Sequence, residues 1–475
     1  MKKFLLFSYL LLLSVAGFSQ QLPQYNTGTL YDSFENPSQR SFIPDTSRRY
    51  AFNFLIPNLS GSFYLTGDAQ ETLVNRAFGG KYNNQDLQIG NGKYNNFKLN
   101  GSAYFIMFKV FGSLKGNTEI GVFAQTKAEG SGRFSDESAA IFNGPAAFPN
   151  NVYDNIFNDH YYYQIYNAIG LSYREELSKK FSFGIKLGYL MGVNYSKLDI
   201  YQSHITFDNV NNSATLSLQG KYYLSKGPGS FDSRSFLPTT RSPGVQVTIG
   251  TAYKTDDNIT IQANLKDFGF VHWYNESHIS NFNTTQTIYG ITSNKREDSI
   301  YNHVNSMLQN NKLPGSFNAP TDAKFELSAT KSYWINDDMS FKYSPTLIVS
   351  KELYYSGTTG AIVNRFQYDE KYNLTLTGAY NNADLFSLGL QLMFKTYRGE
   401  FYIGSDKLIQ SAGLLSSIHN YQTYANGSFT GASFFMGFSY KFGPVIEHPL
   451  NSSVMNTGEK GFLGRLYNRL FKTYQ

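Results

Sequence analysis

The sequence contains no cysteine, only two tryptophans, and no apolar run beyond residue 20 that could form a membrane-spanning helix. Without cysteine, the chain cannot form disulfides, use thiolate chemistry or carry a lipid on a cysteine anchor. A spanning helix needs about 18 or more consecutive apolar residues. If the protein crosses a membrane, we therefore expect it to cross as β-strands.

Motifs of enzymes and of nucleic-acid-binding modules are also missing. The seven histidines stand singly, and neither G-x-S-x-G nor H-E-x-x-H occurs. The net charge of +6 is spread along the chain and forms no basic stripe of the kind that binds nucleic acid. We expect no enzymatic activity, no cofactor, no metal site and no nucleic-acid partner.

Residues 1–20 have the pattern of an export signal. Lys2 and Lys3 precede an apolar run, and small residues follow between Ser14 and Ser19. This order predicts cleavage after Ser19 or Gln20. We therefore expect the mature chain to leave the cytoplasm.

The dominant pattern after the signal is an alternation of apolar with small or polar side chains. It is clearest in 181–195, where Phe181 through Tyr195 form the apolar face and Leu190 is the exception. The same period of two recurs in 245–265, 386–395 and 432–442. A strand directs successive side chains to opposite faces, so each ribbon is apolar on one side and polar on the other. This pattern, with 17% aromatic residues, predicts an all-β transmembrane antiparallel barrel.

The connections between these ribbons predict the topology. Six are short and charged, at 113–117, 175–180, 254–258, 336–338, 369–371 and 396–400, and four are long, at 67–96, 130–159, 197–242 and 271–321. Outer-membrane barrels alternate short periplasmic turns with long outward loops and have an even strand number. We predict about 14 strands within residues 49–443. Residues 213–223 would break this parity, so we place them in a surface hairpin with 200–207.

Two long loops show helix signals. Asp68–Glu71 resembles a capping box that opens a short helix through Phe78. Residues 297–309 have helical spacing at Ile300, Val304, Met307 and Leu308. This second helix either lies over the barrel mouth or folds into the lumen as a constriction.

Both ends of the mature chain lie outside the predicted barrel. Residues 21–48 are polar and proline-punctuated, and they form either a periplasmic leader or a plug that enters the barrel. Residues 444–475 are predicted to be a periplasmic tail with a short basic amphipathic helix at 461–472. It would contact a membrane or a partner through Phe462, Arg465, Leu466, Arg469 and Leu470, or else it is a frayed extension.

One strand–turn–strand block, residues 247–273, resembles a Bacteroidota outer-membrane β-barrel family of unassigned function. The resemblance rests on a phrase at its end, formed by Asp267, Phe268, Gly269, Phe270, Val271, His272 and Trp273. Stretches 170–192 and 405–409 are similar to that family too. We assign the motif residues Asp267, Gly269, Phe270 and Trp273 a structural role. We interpret the neighbours His272 and Trp273 as part of an aromatic girdle, and Lys266 and Asp267 as candidates for a lumenal ion pair.

More distantly, the architecture resembles FadL-type fatty-acid transporters and the barrel subunits of type IX secretion. That resemblance implies hydrophobic cargo or partner proteins, but no ligand-binding residue of those proteins can be matched here. We therefore expect an outer-membrane barrel, in contact with membrane lipids, that transports small hydrophobic or amphipathic solutes along an apolar lining. The alternative is a docking subunit of a cell-surface or secretion assembly, with partners at its outward loops or its tail.

Overall fold

The computed structural model describes residues 22–80, 86–112, 117–225, 240–274, 276–355, 357–381, 385–420 and 429–448. The described chain therefore begins at Leu22 and ends at His448. The predicted export signal and the predicted tail helix with its five contact residues lie outside these residues.

Strands dominate the described chain. They are β1 (Arg48–Phe52), β2 (Asn58–Thr66), β3 (Tyr94–Phe111), β4 (Thr118–Ser135), β5 (Val152–Asp154), β6 (His160–Ser178), β7 (Phe181–Asp208), β8 (Ser213–Leu224), β9 (Pro243–Lys254), β10 (Ile259–Trp273), β11 (His278–Tyr289), β12 (Lys312–Pro314), β13 (Phe317–Pro320), β14 (Lys324–Lys331), β15 (Tyr333–Trp334), β16 (Phe341–Glu352), β17 (Thr358–Tyr368), β18 (Tyr372–Asn381), β19 (Leu385–Lys395), β20 (Gly399–Ser405) and β21 (Thr430–Val445). The helices are α1 (Leu30–Glu35), α2 (Gln70–Gly79), α3 (Asp136–Ala140), α4 (Arg296–Leu308) and α5 (Leu408–Asn420).

Fourteen antiparallel strand positions close into a barrel within the described residues. The positions in order are β1 with β2, then β3, β4, β6, β7, β9, β10, β14 and β16 to β21. The ring closes because β1 and β2, which together form one interrupted strand, pair with β3 on one side and with β21 on the other. Closure removes free sheet edges. The predicted fold class and strand number are confirmed.

The predicted connections also match the structure. All six short connections join consecutive barrel strands at one end, which we call the short-turn end, and both β1 and β21 reach that end. The predicted hairpin forms as well, since the far half of β7 pairs with β8 from Ser196↔Leu224 to Asp208↔Ser213. This hairpin projects from the opposite end, which we call the cap end.

The two faces of the barrel differ as the alternation predicts. On β7, Leu187 and Tyr189 point outward and are exposed, while Ser182 and Lys186 point inward and are buried. Exposed apolar side chains continue around the ring on the other strands, for example Leu171, Ile362, Leu376, Leu392 and Phe434. The outside of the barrel is therefore an apolar belt.

The predicted apolar face of 181–195 is wrong beyond Tyr189. The register between β6 and β7 shifts where Ile165↔Asn194 is followed by Tyr166↔Gly192. This bulge reverses the phase of the strand, so Tyr195 points inward. Met191, Val193 and Tyr195 are all buried. Leu190, the apparent exception, faces inward in phase with Lys186 and is fully buried.

The cap end carries a small sheet with its own apolar core. The far half of β7 pairs with β5 and β8, and β8 pairs with β11. Side chains that include Leu198, Leu216, Phe282 and Ile300 form one buried cluster there. Residues Arg296–Leu308 form the second predicted helix, α4. Its apolar side joins this core, so the alternative in which it folds into the lumen is wrong.

Two other helices differ from the sequence predictions. Helix α2 begins after Ala69, and no side chain caps its first turn. The predicted capping box is therefore wrong, because Asn95 Oδ1 accepts the Ala69 N–H at 2.7 Å instead. Helix α5 was not predicted, although Leu408, Leu414 and Leu415 give it an apolar spacing. Within the described residues, no helix has the length and apolarity that crossing a membrane requires.

Candidate functional site

Residues 22–47, which we call the N-terminal segment, lie inside the ring of strands. Six lysine, arginine and asparagine side chains of the barrel donate hydrogen bonds to its backbone carbonyls: Lys109 to Ser33, Arg174 to Ser38, Asn264 to Glu35, Arg365 to Asn26, Lys395 to Thr27 and Gly28, and Lys441 to Ser41. These donors come from β3, β6, β10, β17, β19 and β21. Since those strands are spread around the ring, the segment is enclosed by them.

An apolar core holds the middle of the segment. Leu30, Phe34 and Phe42 are fully buried and belong to a cluster with inward-facing aromatic residues of the wall. The Phe34 and Phe123 rings lie 5.9 Å apart, edge to face. Burying such rings stabilises the segment by the loss of apolar surface from water. The segment is therefore packed against the wall as well as hydrogen-bonded to it.

The wall also approaches the segment at a glycine. A Cβ atom added to Gly184 of β7 would lie 2.0 Å from the carbonyl oxygen of Pro37. No side chain fits in that space, so the close contact between β7 and the segment depends on glycine at this position.

Two carboxylates on α1 behave in opposite ways. Burial raises the pKa of Asp32 to about 7, although its Oδ2 accepts the Thr27 N–H at 2.9 Å. Burial also opposes ionisation of Glu35, but Lys266 and Lys186 outweigh it and lower the pKa of Glu35 to about 2. Glu35 is therefore charged near neutral pH and is held by an ion pair with Lys266.

The motif residues belong to this buried network. Asp267 has a positive φ of 50°, and the register of β10 against β9 shifts between Leu265 and Phe268. This bulge places Lys266 and Asp267 together on the inner face. Asp267 pairs with Lys127 and, at 3.3 Å, with Lys186. The sequence made Lys266 and Asp267 candidates for a lumenal ion pair. In the structure they do not pair with each other in this way: Lys266 pairs with Glu35, and Asp267 pairs with Lys127 and Lys186.

The rest of the motif sets the path of β10 after the bulge. A Cβ atom at Gly269 would lie 2.1 Å from the Val245 carbonyl oxygen, while Phe270 points outward and is exposed. Trp273 points inward, is 1% exposed and packs 5.5 Å from the Tyr195 ring. The aromatic-girdle interpretation is therefore wrong for Trp273. The bulge reverses the phase of the strand, and sequence alternation alone could not place it.

Between the N-terminal segment and the cap lies a lumenal cavity of about 730 Å³, which we call the vestibule. Its wall is rich in polar groups, among them Lys98, Lys324, Glu352 and Lys407. Tyr162 and Tyr355 form a stacked pair on one side, with ring centroids 4.1 Å apart. The sequence led us to expect an apolar lining. The vestibule is polar because the inward positions of its strands carry charged, amide and hydroxyl side chains.

The apolar lining is found instead in a second cavity of about 190 Å³ in the cap. It lies between β7, β8 and α4 and is lined by side chains such as Leu198, Ala214, Leu216 and Ile300. For scale, an engineered apolar cavity of about 150 Å³ binds benzene. This cavity is large enough for a small apolar group.

A single strand separates the two cavities. In the far half of β7, Lys197 and Asp199 line the vestibule, whereas Leu198 and Ile200 line the cap cavity. Successive side chains of a strand point to opposite faces, so one ribbon presents a polar wall to one cavity and an apolar wall to the other. The two cavities therefore lie on opposite faces of β7 and differ in polarity.

In the described part of the chain, three histidines lie beside an acidic or amide side chain, and one of them, His160 in the vestibule, has its Nδ1 3.4 Å from Asp199 Oδ1. His204 Nδ1 lies 2.7 Å from Asp154 Oδ1 on the exposed surface of the cap, and His272 Nδ1 lies 2.7 Å from Asn318 Oδ1. Among the described residues, no three acidic or histidine side chains are grouped so that they could hold a metal ion.

These features define a class of protein: a closed antiparallel barrel whose lumen holds its own N-terminal segment beneath a folded cap. Residues 44–406 match the model described as "Family of unknown function (DUF5723)". The chain belongs to that family. No curated protein matches the sequence.

Several solved structures are similar to the barrel. The Pseudomonas aeruginosa FadL homologue is 12% identical, with a TM-score of 0.41, covering 90% of this chain and 98% of that one. The toluene transporter TodX of P. putida is 10% identical, with a TM-score of 0.37, covering 87% and 94%. The Ralstonia pickettii toluene transporter TbuX gives the same four values. At such identities and TM-scores, the function has to be argued from this chain's own residues.

Proposed function

We propose that this protein is an outer-membrane barrel that passes small amphipathic solutes, and that it is not an enzyme. The N-terminal segment and the cap would control access to its lumen. The observation that carries this proposal is the division at β7, where Lys197 and Leu198 line a polar and an apolar cavity respectively. An amphipathic solute would meet a polar surface in one cavity and an apolar surface in the other.

The outer face supports the membrane location. Exposed leucine, isoleucine and aromatic side chains surround the barrel, and a soluble protein rarely exposes so large an apolar surface. Cations lie over aromatic rings near the short-turn end, with Lys342 Nζ 5.3 Å from the Trp334 ring and Lys331 Nζ 5.5 Å from the Tyr333 ring. Aromatic residues and snorkelling lysines are typical of the lipid–water boundary. Together with the predicted export signal, this favours an outer membrane with short turns in the periplasm.

An uptake assay tests the transport proposal. Proteoliposomes would enclose a β-glucosidase, and 4-nitrophenyl β-glucoside, a neutral amphipathic chromogen, would be added outside. The proposal predicts faster release of 4-nitrophenol than from liposomes that contain an unrelated closed barrel. Equal rates would contradict it.

The N-terminal segment can be tested in the same assay, because the natural chain has no cysteine. Ser182 Oγ donates to the Ser38 carbonyl oxygen at 3.1 Å. Ser38→Cys and Ser182→Cys can therefore be joined by a short reversible bis-thiosulfonate linker. The linked protein should pass the glucoside more slowly, and reduction of the same sample should restore the rate. A rate that linking leaves unchanged would contradict a gating role for the segment.

The cap cavity has its own matched pair of variants. Ala214→Phe fills the cavity, whereas Thr215→Phe adds the same ring on the opposite face of β8. We expect only Ala214→Phe to slow uptake. If both variants affect uptake equally, the solute does not pass through the cap cavity.

A docking role is the second candidate, and the surface of the cap favours it. Val210, Tyr289 and Leu313 are more than 60% exposed there, as anchors for a protein partner would be. This candidate predicts a stoichiometric companion after purification in mild detergent, and its release when residues 451–475 are deleted. Transport without a companion would exclude it.

A further inference from the structure

The vestibule contains an unusual concentration of cationic side chains for an enclosed space. Five cations line it against three carboxylates. Lys98, Lys324 and Lys407 come from β3, β14 and the connection after β20, so they approach the cavity from three separate parts of the wall. Its volume of about 730 Å³ lies within the range of small-molecule sites.

The three lysines line the same cavity. Lys407 Nζ donates to Ser62 Oγ of β2, and Lys407 is half-buried. The pKa of Lys407 is lowered to about 8, chiefly by burial and to a smaller extent by Lys98 and Lys324, while the neighbouring Asp406 opposes the shift. A like charge destabilises an ammonium group, and an anion placed among the three would relieve that repulsion.

Existing ion pairs hold two of these lysines without filling the cavity. Lys98 pairs with Glu352, and Lys324 Nζ lies 3.2 Å from Asp322 Oδ2. These carboxylates fix where the lysines sit, so their ammonium groups are preorganised at the wall. Each ammonium has three donors, and those not used by its carboxylate can reach a ligand in the adjacent space.

We propose that Lys98, Lys324 and Lys407 form an oxyanion site in the vestibule, which takes the carboxylate, sulfate or phosphate group of a small organic anion. The inference deepens the proposed function and rests on it only in naming that anion as the cargo. Charge-assisted hydrogen bonds from three ammonium groups give such a site its strength. Binding itself can be measured without any transport.

Titration calorimetry with inorganic sulfate tests the site on the purified full chain in a non-ionic detergent. Sulfate does not titrate between pH 6 and 10, and sodium chloride keeps the ionic strength constant in the reference cell, because screening weakens charge interactions. We expect Lys407→Gln to weaken sulfate binding by about tenfold or more. Lys407→Arg should retain it, and Lys371→Gln, in an exposed turn at the short-turn end, should leave it unchanged.

The pH dependence separates an anion site from a structural ion-pair network. Asp406, Lys98 and Lys324 are the charged groups around Lys407. The wild type should lose sulfate affinity between pH 7 and 9.5 as Lys407 deprotonates, and Lys407→Arg should lose none. Heat-modifiable migration on gels checks that each variant keeps its barrel.

Two results would overturn the proposal. One is wild-type sulfate binding that equals that of Lys407→Gln, and the other is no binding to the wild type at all. Either result would mean that the three lysines only stabilise the barrel wall, whatever the glucoside assay shows. Uptake of the neutral glucoside without sulfate binding would refute the oxyanion site alone, and sulfate binding without uptake would refute transport alone.

Discussion

Glu35, on the short helix inside the barrel, forms an ion pair with Lys266 on the barrel wall, and the Tyr104 hydroxyl donates to the same carboxylate at 2.6 Å. The pair joins two parts of the chain that are more than 200 residues apart. It lies beside the bulge at Asp267, so the wall motif and the N-terminal segment meet at one point.

Glu35→Gln should loosen the N-terminal segment. Removing one partner of a buried ion pair leaves the other charge uncompensated, at a cost of roughly 3–5 kcal/mol. The segment contains Leu30, Phe34 and Phe42, which suit pepsin, so cleavage within it reports its release. Glu370→Gln, in the exposed turn between β17 and β18, is the control and should leave cleavage unchanged.

The same pair gives a pH dependence with a definite sign. The pKa of Glu35 is lowered from 4.5 to about 2, so its carboxylate contributes stability above pH 4.5 that is lost as the pH falls towards 2. Pepsin should therefore cut the wild-type segment increasingly over that range. Glu35→Gln should be cut readily throughout, and a wild type that stays protected at pH 2 would contradict this account.

Gly184→Ala should displace the segment from β7, because the new Cβ would lie 2.0 Å from the Pro37 carbonyl oxygen. Overpacking of this kind typically costs about 1–3 kcal/mol. Gly360→Ala is a matched control, since nothing lies within 4 Å of its added Cβ. Hydrogen exchange of residues 30–42 should rise in Gly184→Ala only, and equal exchange in both variants would argue that β7 does not touch the segment.

The two tryptophans should report opposite environments. Trp273 is 1% exposed inside the barrel, whereas Trp334 is 42% exposed on its outer face. The Trp334→Phe variant retains only Trp273. In vesicles of brominated phospholipid, we expect the lipid to quench its tryptophan fluorescence only weakly. The Trp273→Phe variant retains only Trp334, and we expect strong quenching of its fluorescence. Similar quenching of the two variants would place Trp273 at the lipid boundary.

The alternation of side chains was enough to predict the barrel, because a membrane barrel imposes that period on each spanning strand. The six turns and the strand number were predicted from the order of short charged and long connections. It failed at two bulges. After Tyr189 on β7 and at Asp267 on β10, one extra residue reverses the phase, so Tyr195 and Trp273 face inward. A bulge depends on its partner strands, which a single sequence does not reveal.

The candidate site was predicted less well than the fold. Lys266 and Asp267 were recognised as lumenal candidates, but their partners Glu35, Lys127 and Lys186 are distant in sequence. The vestibule and the cap cavity combine side chains from many strands, so no local motif marks them. Helix α5 did leave a signal that could have predicted it, the spacing of Leu408, Leu414 and Leu415.

Nitroxide scanning of β7 tests the central claim most directly. Single cysteines at 182, 183 and 185 to 189, introduced into the cysteine-free chain and spin-labelled in lipid vesicles, would be measured for collisions with oxygen and with a water-soluble nickel complex. We predict a period of two, with high oxygen and low nickel access at Phe183, Ile185, Leu187 and Tyr189, and low oxygen access at the positions between them. A period near 3.6, or nickel access at those four positions, would contradict a barrel whose outward face meets lipid.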